Sequence, residues 1–140
     1  MMTESNIQLV REWVEVGWNQ SDPDRLADFF PPTFMNEGQP ATVDVLIQWN
    51  ERQRTAFPDI HYEIEDIFAT DDRVALRWMA TATHTGTLWG FIPSTRKHAS
   101  WKGIHMLRIV DGRIAEIWAT SDIPSMLQQL GVTLQLPEST

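Results

Sequence analysis

The chain contains no cysteine, which excludes a disulfide scaffold, thiolate metal ligands and a cysteine nucleophile. Basic residues are scarce: 11 Lys and Arg stand against 19 Asp and Glu, for a net charge of −8 at pH 7. Such a surface repels phosphate backbones and anionic lipid, so neither nucleic acid nor membrane is an expected partner. No apolar run reaches the roughly 18 residues that a membrane helix needs. The opening Met-Met-Thr-Glu-Ser-Asn also lacks the basic region and apolar stretch of a secretory signal. A cytoplasmic protein is expected. Tyrosine is nearly absent, with one residue, yet seven of the 140 residues are Trp. Indoles are large and keep one N–H that needs a partner, so this many suit the walls of a partly wet apolar cavity.

Length and a hydrophobic content of 42% fit one globular domain, expected over residues 1–140 with no internal repeat. From Thr3 to Gln20, the residues Ile7, Val10, Trp13, Val14, Gly17 and Trp18 recur at spacings of three and four, which predicts an amphipathic helix. Ser21-Asp22-Pro23-Asp24 supplies capping residues and a first-turn proline, so a short helix runs to about Phe30, where Pro31-Pro32 ends it. An extended stretch around Thr33 to Asn36 and a Gly-Pro turn region follow. Thr42 then caps a third helix to about Ala56, carrying Val45, Leu46 and Trp49 inward.

From Ile60 the period becomes two: Ile60, Tyr62 and Ile64 alternate with polar residues until Asp71-Asp72 marks a turn. A second strand, Arg73 to Thr83, has its drier face at Val74, Leu76, Trp78, Ala80 and Ala82, and His84 continues that parity. Residues 85–95 read as a loop able to overhang a site. A third strand, about His98 to Val110, meets a fourth, Arg113 to Ser121, across Asp111-Gly112, a strong hairpin signal. A two-residue turn there sets Val110 opposite Arg113, hence His105 opposite Trp118 and Trp101 opposite Asp122, and a bulge would move this by one. Asp122-Ile123-Pro124-Ser125 opens a last short helix ended by Gly131. A mobile tail is expected over about 132–140. Helices followed by antiparallel strands predict an α+β fold, with helices covering one face of a curved sheet.

Strict alternation gathers Trp78, His84, Trp101, His105, Trp118, Thr120 and Asp122 on one sheet face. Two imidazoles and a carboxylate among three indoles describe a small-molecule pocket. Glu116 shares that parity and does not fit an apolar interior, which points to an open edge or a bulge. His98 and His105 fall on opposite faces and no His pair has helical ligand spacing, so no metal is expected and a His-His-Asp site stays a minor alternative. Glycine-rich phosphate loops, a dinucleotide fingerprint and a nucleophile-elbow serine are all missing. What remains is acid–base work without a cofactor.

Phe57-Pro58-Asp59, Thr83-His84-Thr85-Gly86, Gly103-Ile104-His105, the run from Asp111 to Asp122 and Leu127-Gln128-Gln129-Leu130-Gly131 together resemble the SnoaL-like polyketide cyclases, also called ester cyclases, over about residues 5 to 131. The resemblance implies a cone-shaped α+β barrel of the nuclear transport factor 2-like, or cystatin-like, kind: a curved antiparallel sheet wrapped around N-terminal helices, with a deep hydrophobic pocket. It also implies intramolecular aldol condensation without metal. The acid/base carboxylate matches Asp122 in the Trp118-x-x-x-Asp122 pattern, and His105 and Asn36 match polar pocket positions.

Aldol closure needs a base to remove a proton from carbon beside a carbonyl, then an acid for the new alkoxide. Desolvation among Trp78, Trp101 and Trp118 would make Asp122 a better base, with His105 or His84 donating to a substrate carbonyl. Asp122 also stands immediately before a helix and has a second reading as an N-cap. The expected catalytic residues are therefore Asp122 and His105, and the expected substrate-binding residues Asn36, Trp78, His84, Trp101 and Trp118. A non-catalytic ligand-binding or dimeric interaction module on the same fold is the alternative, as is a hydrolase, dehydratase or isomerase. An outward face carrying Ala75, Met79, Ala115, Ile117 and Ala119 predicts a homodimer.

Overall fold

The computed structural model describes residues 2–133, 135 and 137. Helix α1 (Met2–Trp13) continues without a break into a π-helical segment, Val14–Asn19. The wider turn is visible where the Gln20 amide reaches back to Glu15 O at 2.9 Å. Side chains of the third helix satisfy the carbonyls at its end: Asn50 Nδ2 donates to Gly17 O at 2.8 Å, and Arg54 Nη2 to Trp18 O and Asn19 O. Asn19 then pairs with the backbone of Tyr62 through both ends of its amide. These bonds fix Trp18 at the start of the sheet.

Helix α2 (Pro23–Leu26) begins as its sequence predicts, with Asp22 accepting from Asp24 N at 3.0 Å, and runs into a 3-10 turn at Ala27–Phe29. Strand β1 (Phe34–Asn36) turns at Glu37-Gly38 into β2 (Gln39–Ala41), so the Gly-Pro region carries a strand as well as a turn. Helix α3 (Val43–Ala56) follows Thr42, whose side chain makes no capping bond. Val45 and Trp49 are half-exposed, not core.

Strands β3 (His61–Thr70), β4 (Arg73–Thr83), β5 (His98–Val110) and β6 (Arg113–Ser121) precede α4 (Ile123–Gln129). The six-stranded order is β2-β1-β6-β5-β4-β3, antiparallel except where β1 runs parallel to β6. The sheet is curved but does not close, so the fold is an open cone and not a full barrel. Its inner face buries Val74, Leu76, Trp78, Ala80 and Ala82 of β4 against Trp13, Val14 and Phe30 of the helical layer. Val132 packs on this core. Of the predicted mobile tail, Leu134, Leu136 and residues 138–140 lie outside the described residues. No helix among the described residues is long and apolar enough to cross a membrane.

The β5–β6 register is where sequence and structure part. Val110 faces Arg113 and Ile109 faces Ile114, as the two-residue turn demands. Ala115 is then surplus: Arg108 faces Glu116, and the offset continues to Gly103 opposite Ser121. His105 consequently lies opposite Ala119, not Trp118, and the Trp101–Asp122 pairing does not form. A bulge reverses which side chains face inward beyond it. Ile114 and Ile117 are both buried, while Glu116 and Trp118 turn outward.

Candidate active site

Between the helical layer and the inner sheet face lies a cavity of about 440 Å³, inside the usual range for small-molecule sites. Five tryptophans line it: Trp13, Trp18, Trp49, Trp78 and Trp101. The polar lining comes from Asn36, Glu37, Asn50, Gln53, Tyr62, His105, Thr120 and Ser121. Exposed lining residues Glu37, Val45, Trp49, Ala119 and Thr120 mark the opening.

Gly103 shapes its floor. On β4, Trp78 lies directly opposite Gly103, where any Cβ would fall inside the indole. The bare glycine lets the indole lie across β5 and reach His105, and Trp78 Nε1 donates to His105 Nδ1 at 2.9 Å. Indole N–H is a donor only, so Nδ1 is the acceptor and neutral His105 carries its proton on Nε2. That Nε2–H has no partner among the described residues. Burial pushes the His105 pKa down to about 4, and the indole N–H aimed at Nδ1 opposes a second proton there. The imidazole is therefore a neutral donor at neutral pH.

Trp18 packs against His105 with centroids 4.9 Å apart, and against Trp13, Tyr62 and Trp78 at 5.0 to 5.7 Å. Burial also raises the Tyr62 phenol to about 12, against a hydrogen bond from Gln53 that lowers it. It too stays protonated. Trp13 Nε1–H is buried without an acceptor among the described residues. Among the described residues the cavity thus offers donors and apolar ring faces, with a single carboxylate, Glu37, and no Lys or Arg.

Of the residues expected at the site, Asn36, Trp78, Trp101 and His105 line this cavity together. The other three stand elsewhere. Trp118 is on the outer face, 43% exposed, its Nε1 donating to Glu116 Oε1 at 2.6 Å. Arg108, and then Trp118, hold the Glu116 carboxyl below its usual range. His84 keeps its inward parity but is fully buried and does not line the cavity; its Nδ1 meets Thr95 Oγ1 at 2.9 Å. Phe57 packs on both His84 and Trp101. Residues 85–95 fold onto the end of α3, where Thr85 N and Gly86 N both donate to Ala56 O, and do not overhang the cavity.

Asp122 shares the outward parity of Trp118. It is exposed, its Oδ1 accepts from Ser125 N at 3.1 Å as the cap of α4, and its neighbours Ser121 and Ile123 line the cavity while it does not. Among the described residues no three His, Asp or Glu side chains come together as metal ligands. Trp13, Trp18, Trp49 and Tyr62 were on the inward faces of their predicted elements, so their apolar periodicity was the available signal. Glu37 had none, being a turn residue.

A model of the SnoaL-like polyketide cyclase domain matches residues 8–130. The chain belongs to the SnoaL-like polyketide cyclase family. This SnoaL-like chain is 28% identical to the aklanonic acid methyl ester cyclase DnrD of Streptomyces peucetius, covering 96% of each. Among solved structures it is similar to AclR of Streptomyces galilaeus, a candidate hydroxylase, at 30% identity and a TM-score of 0.79 over 97% of this chain and 91% of that one. TsrD of Streptomyces laurentii shares the fold, with a TM-score of 0.82 at 22% identity over 93% and 97%. The family's nuclear transport factor 2-like architecture is thus common to relatives with different descriptions, and the SnoaL-like site must carry the argument about chemistry.

Proposed function

We propose that this SnoaL-like protein closes a carbon ring in a hydrophobic, polycyclic carbonyl compound by intramolecular aldol-type condensation, without a cofactor. The observation that carries the reading is the Nε2–H of a neutral His105 in a cavity walled by indoles. A fixed donor in a water-poor site favours the enolate oxygen over the ground-state carbonyl, because charge develops there only as the proton leaves. Trp13, Trp18, Trp78 and Trp101 supply ring faces for a flat substrate, and Asn36 a polar contact near the opening. Asp122, the carboxylate of the family pattern, flanks the opening between two lining residues.

DnrD is an aklanonic acid methyl ester cyclase, and an esterified substrate suits a lining that has, among the described residues, one carboxylate and no cation. Ring closure rearranges one molecule, so substrate and product have equal mass. Incubation with aklanonic acid methyl ester should give an isobaric product lacking one ketone carbon in its NMR spectrum. A carrier would bind the compound and return it unchanged.

We also infer a homodimer through the outer sheet face. Phe68, Ala75, Met106 and Trp118 form one cross-strand row there, with Ile104 and Met79 nearby. Ile117 and Ala119, expected on that face, point inward because of the bulge. Arg77 and Arg108 on the same surface pair with Glu65 and Glu116, leaving the apolar row uncrossed by unpaired charge.

A further inference from the structure

We propose that the phenol of Tyr62, held by Gln53, is a second substrate-binding donor. It takes a carbonyl or quinone oxygen at the leading edge of a flat substrate, and so fixes which other carbonyl stops at His105. The inference rests on the ring-closure reading above and adds a specificity-determining subsite to it. Tyr62 is the one tyrosine of the chain, and three observations about it converge.

The first is position. The cavity opens beside Ala119 and Thr120 of β6, whereas Tyr62 is on β3, three strands away, or about 14 Å along the sheet. His105 lies between them, on β5. Trp78 faces Ile64 on β3 and Gly103 on β5. Tyr62 and His105, each two residues from that row and on opposite sides of it, therefore stand on one diagonal through Trp78. Both also pack on Trp18, at 5.1 and 4.9 Å between centroids. A polycycle lying against these indoles meets a donor at each end.

The second is the way the phenol is held. Asn19 bonds both the N–H and the C=O of Tyr62, at 2.8 and 3.0 Å, and Trp18 and Trp78 pack on its ring at 5.1 and 5.4 Å. Backbone and ring are thus fixed before a ligand arrives, which lowers the cost of binding. Gln53 reaches the phenol from α3, and both residues line the cavity. Gln53 is buried, and a buried amide is costly unless it is hydrogen-bonded. Its bond lowers the phenol pKa, the sign of an amide N–H donating to the phenol oxygen. With that oxygen accepting from Gln53, the O–H is the group left to turn toward a ligand, and donation from Gln53 strengthens it.

The third is chemistry. Burial keeps the phenol protonated, with a pKa of about 12, and the His105 imidazole is a neutral donor. Each end of the indole-walled space therefore presents one O–H or N–H and lacks an acceptor until a ligand supplies it. Two such donors match a compound with carbonyls on opposite edges of a fused-ring system, as in a quinone. A polycycle without the far oxygen would leave Tyr62 unpaired in a desolvated site, and sites built to hydrogen-bond an oxygen discriminate strongly on that ground. The oxygen seated at Tyr62 sets how far the substrate enters, and thereby which carbonyl meets His105 Nε2–H. No bond is made or broken at Tyr62.

The test uses 9,10-anthraquinone and anthracene, which share a ring skeleton and differ in two carbonyl oxygens. By tryptophan quenching, the wild type should bind the quinone more tightly than the hydrocarbon. Tyr62→Phe should lose about 3- to 10-fold of that preference while binding anthracene as before. Because Tyr62 is the only tyrosine, labelling with ¹³Cζ-tyrosine gives the wild type a single NMR signal, which should move more with the quinone than with anthracene. Gln53→Leu should weaken both the preference and that response; wild-type values in this variant would remove Gln53 from the subsite. An equal preference in Tyr62→Phe and wild type, a ¹³Cζ signal indifferent to the quinone, or no quinone binding by the wild type overturns the role of Tyr62. Turnover of aklanonic acid methyl ester is assayed separately. Cyclisation without a response at Tyr62 leaves ring closure standing and removes the subsite, and a response at Tyr62 without cyclisation does the reverse.

Discussion

Trp78 Nε1 donates to His105 Nδ1 at 2.9 Å across the bare face of Gly103, and this bond decides which imidazole nitrogen bears the proton. With a folded pKa of about 4 against about 6.5 in an unfolded chain, the unfolded state binds more protons between those values. Stability from this group is complete above pH 6.5 and is lost as pH falls toward 4, by up to about 3 kcal/mol. Imidazole ¹⁵N spectra should show His105 as the Nε2–H form from pH 5.5 to 8. Gly103→Ala must push the indole off β5, costing about 1 to 3 kcal/mol, and its His105 should titrate nearer 6.5. A midpoint near 6.5 in the wild type would contradict the assignment.

Asp122 has a stabilising role that is independent of chemistry, because its carboxylate accepts from Ser125 N at the start of α4. Asp122→Ala should lose roughly 0.5 to 2 kcal/mol, and Asp122→Asn little, since Asn caps about as well. Paired denaturation curves give both values. Equal losses in the two variants would mean that the cap contributes nothing.

Much of this was legible beforehand. Alternation in β4 predicted its buried face residue by residue, and Asp111-Gly112 marked the hairpin and its turn. The failure at Trp118 and Asp122 has one cause, the extra residue Ala115: it interrupts pairing without any unusual side chain, and alternation has no memory of an inserted residue. Glu116 was its trace, a charge on what would have been the inner face. The π-helical widening after Trp13 left no mark on a 3.6-residue pattern, because its carbonyls are satisfied from α3 by Asn50 and Arg54. Glu37 was invisible in the lining for a different reason: its carboxylate is held by Ala119 N of β6, which is distant in sequence.

The outer row of Phe68, Met106 and Trp118 should hold two copies together. Sedimentation at micromolar concentration should report twice the 16.1-kDa chain mass, and Met106→Glu should shift it to the single chain without altering the cavity. A wild-type monomer would remove the dimer proposal.

Turnover of aklanonic acid methyl ester by wild type and His105→Phe, in buffer containing EDTA, tests the central claim most directly. The account predicts cyclisation by the wild type and a kcat lowered about 100-fold or more in the variant, as for the loss of one oxyanion donor, with tryptophan quenching by the substrate retained. No cyclisation by the wild type, or equal kcat in both proteins, would contradict it.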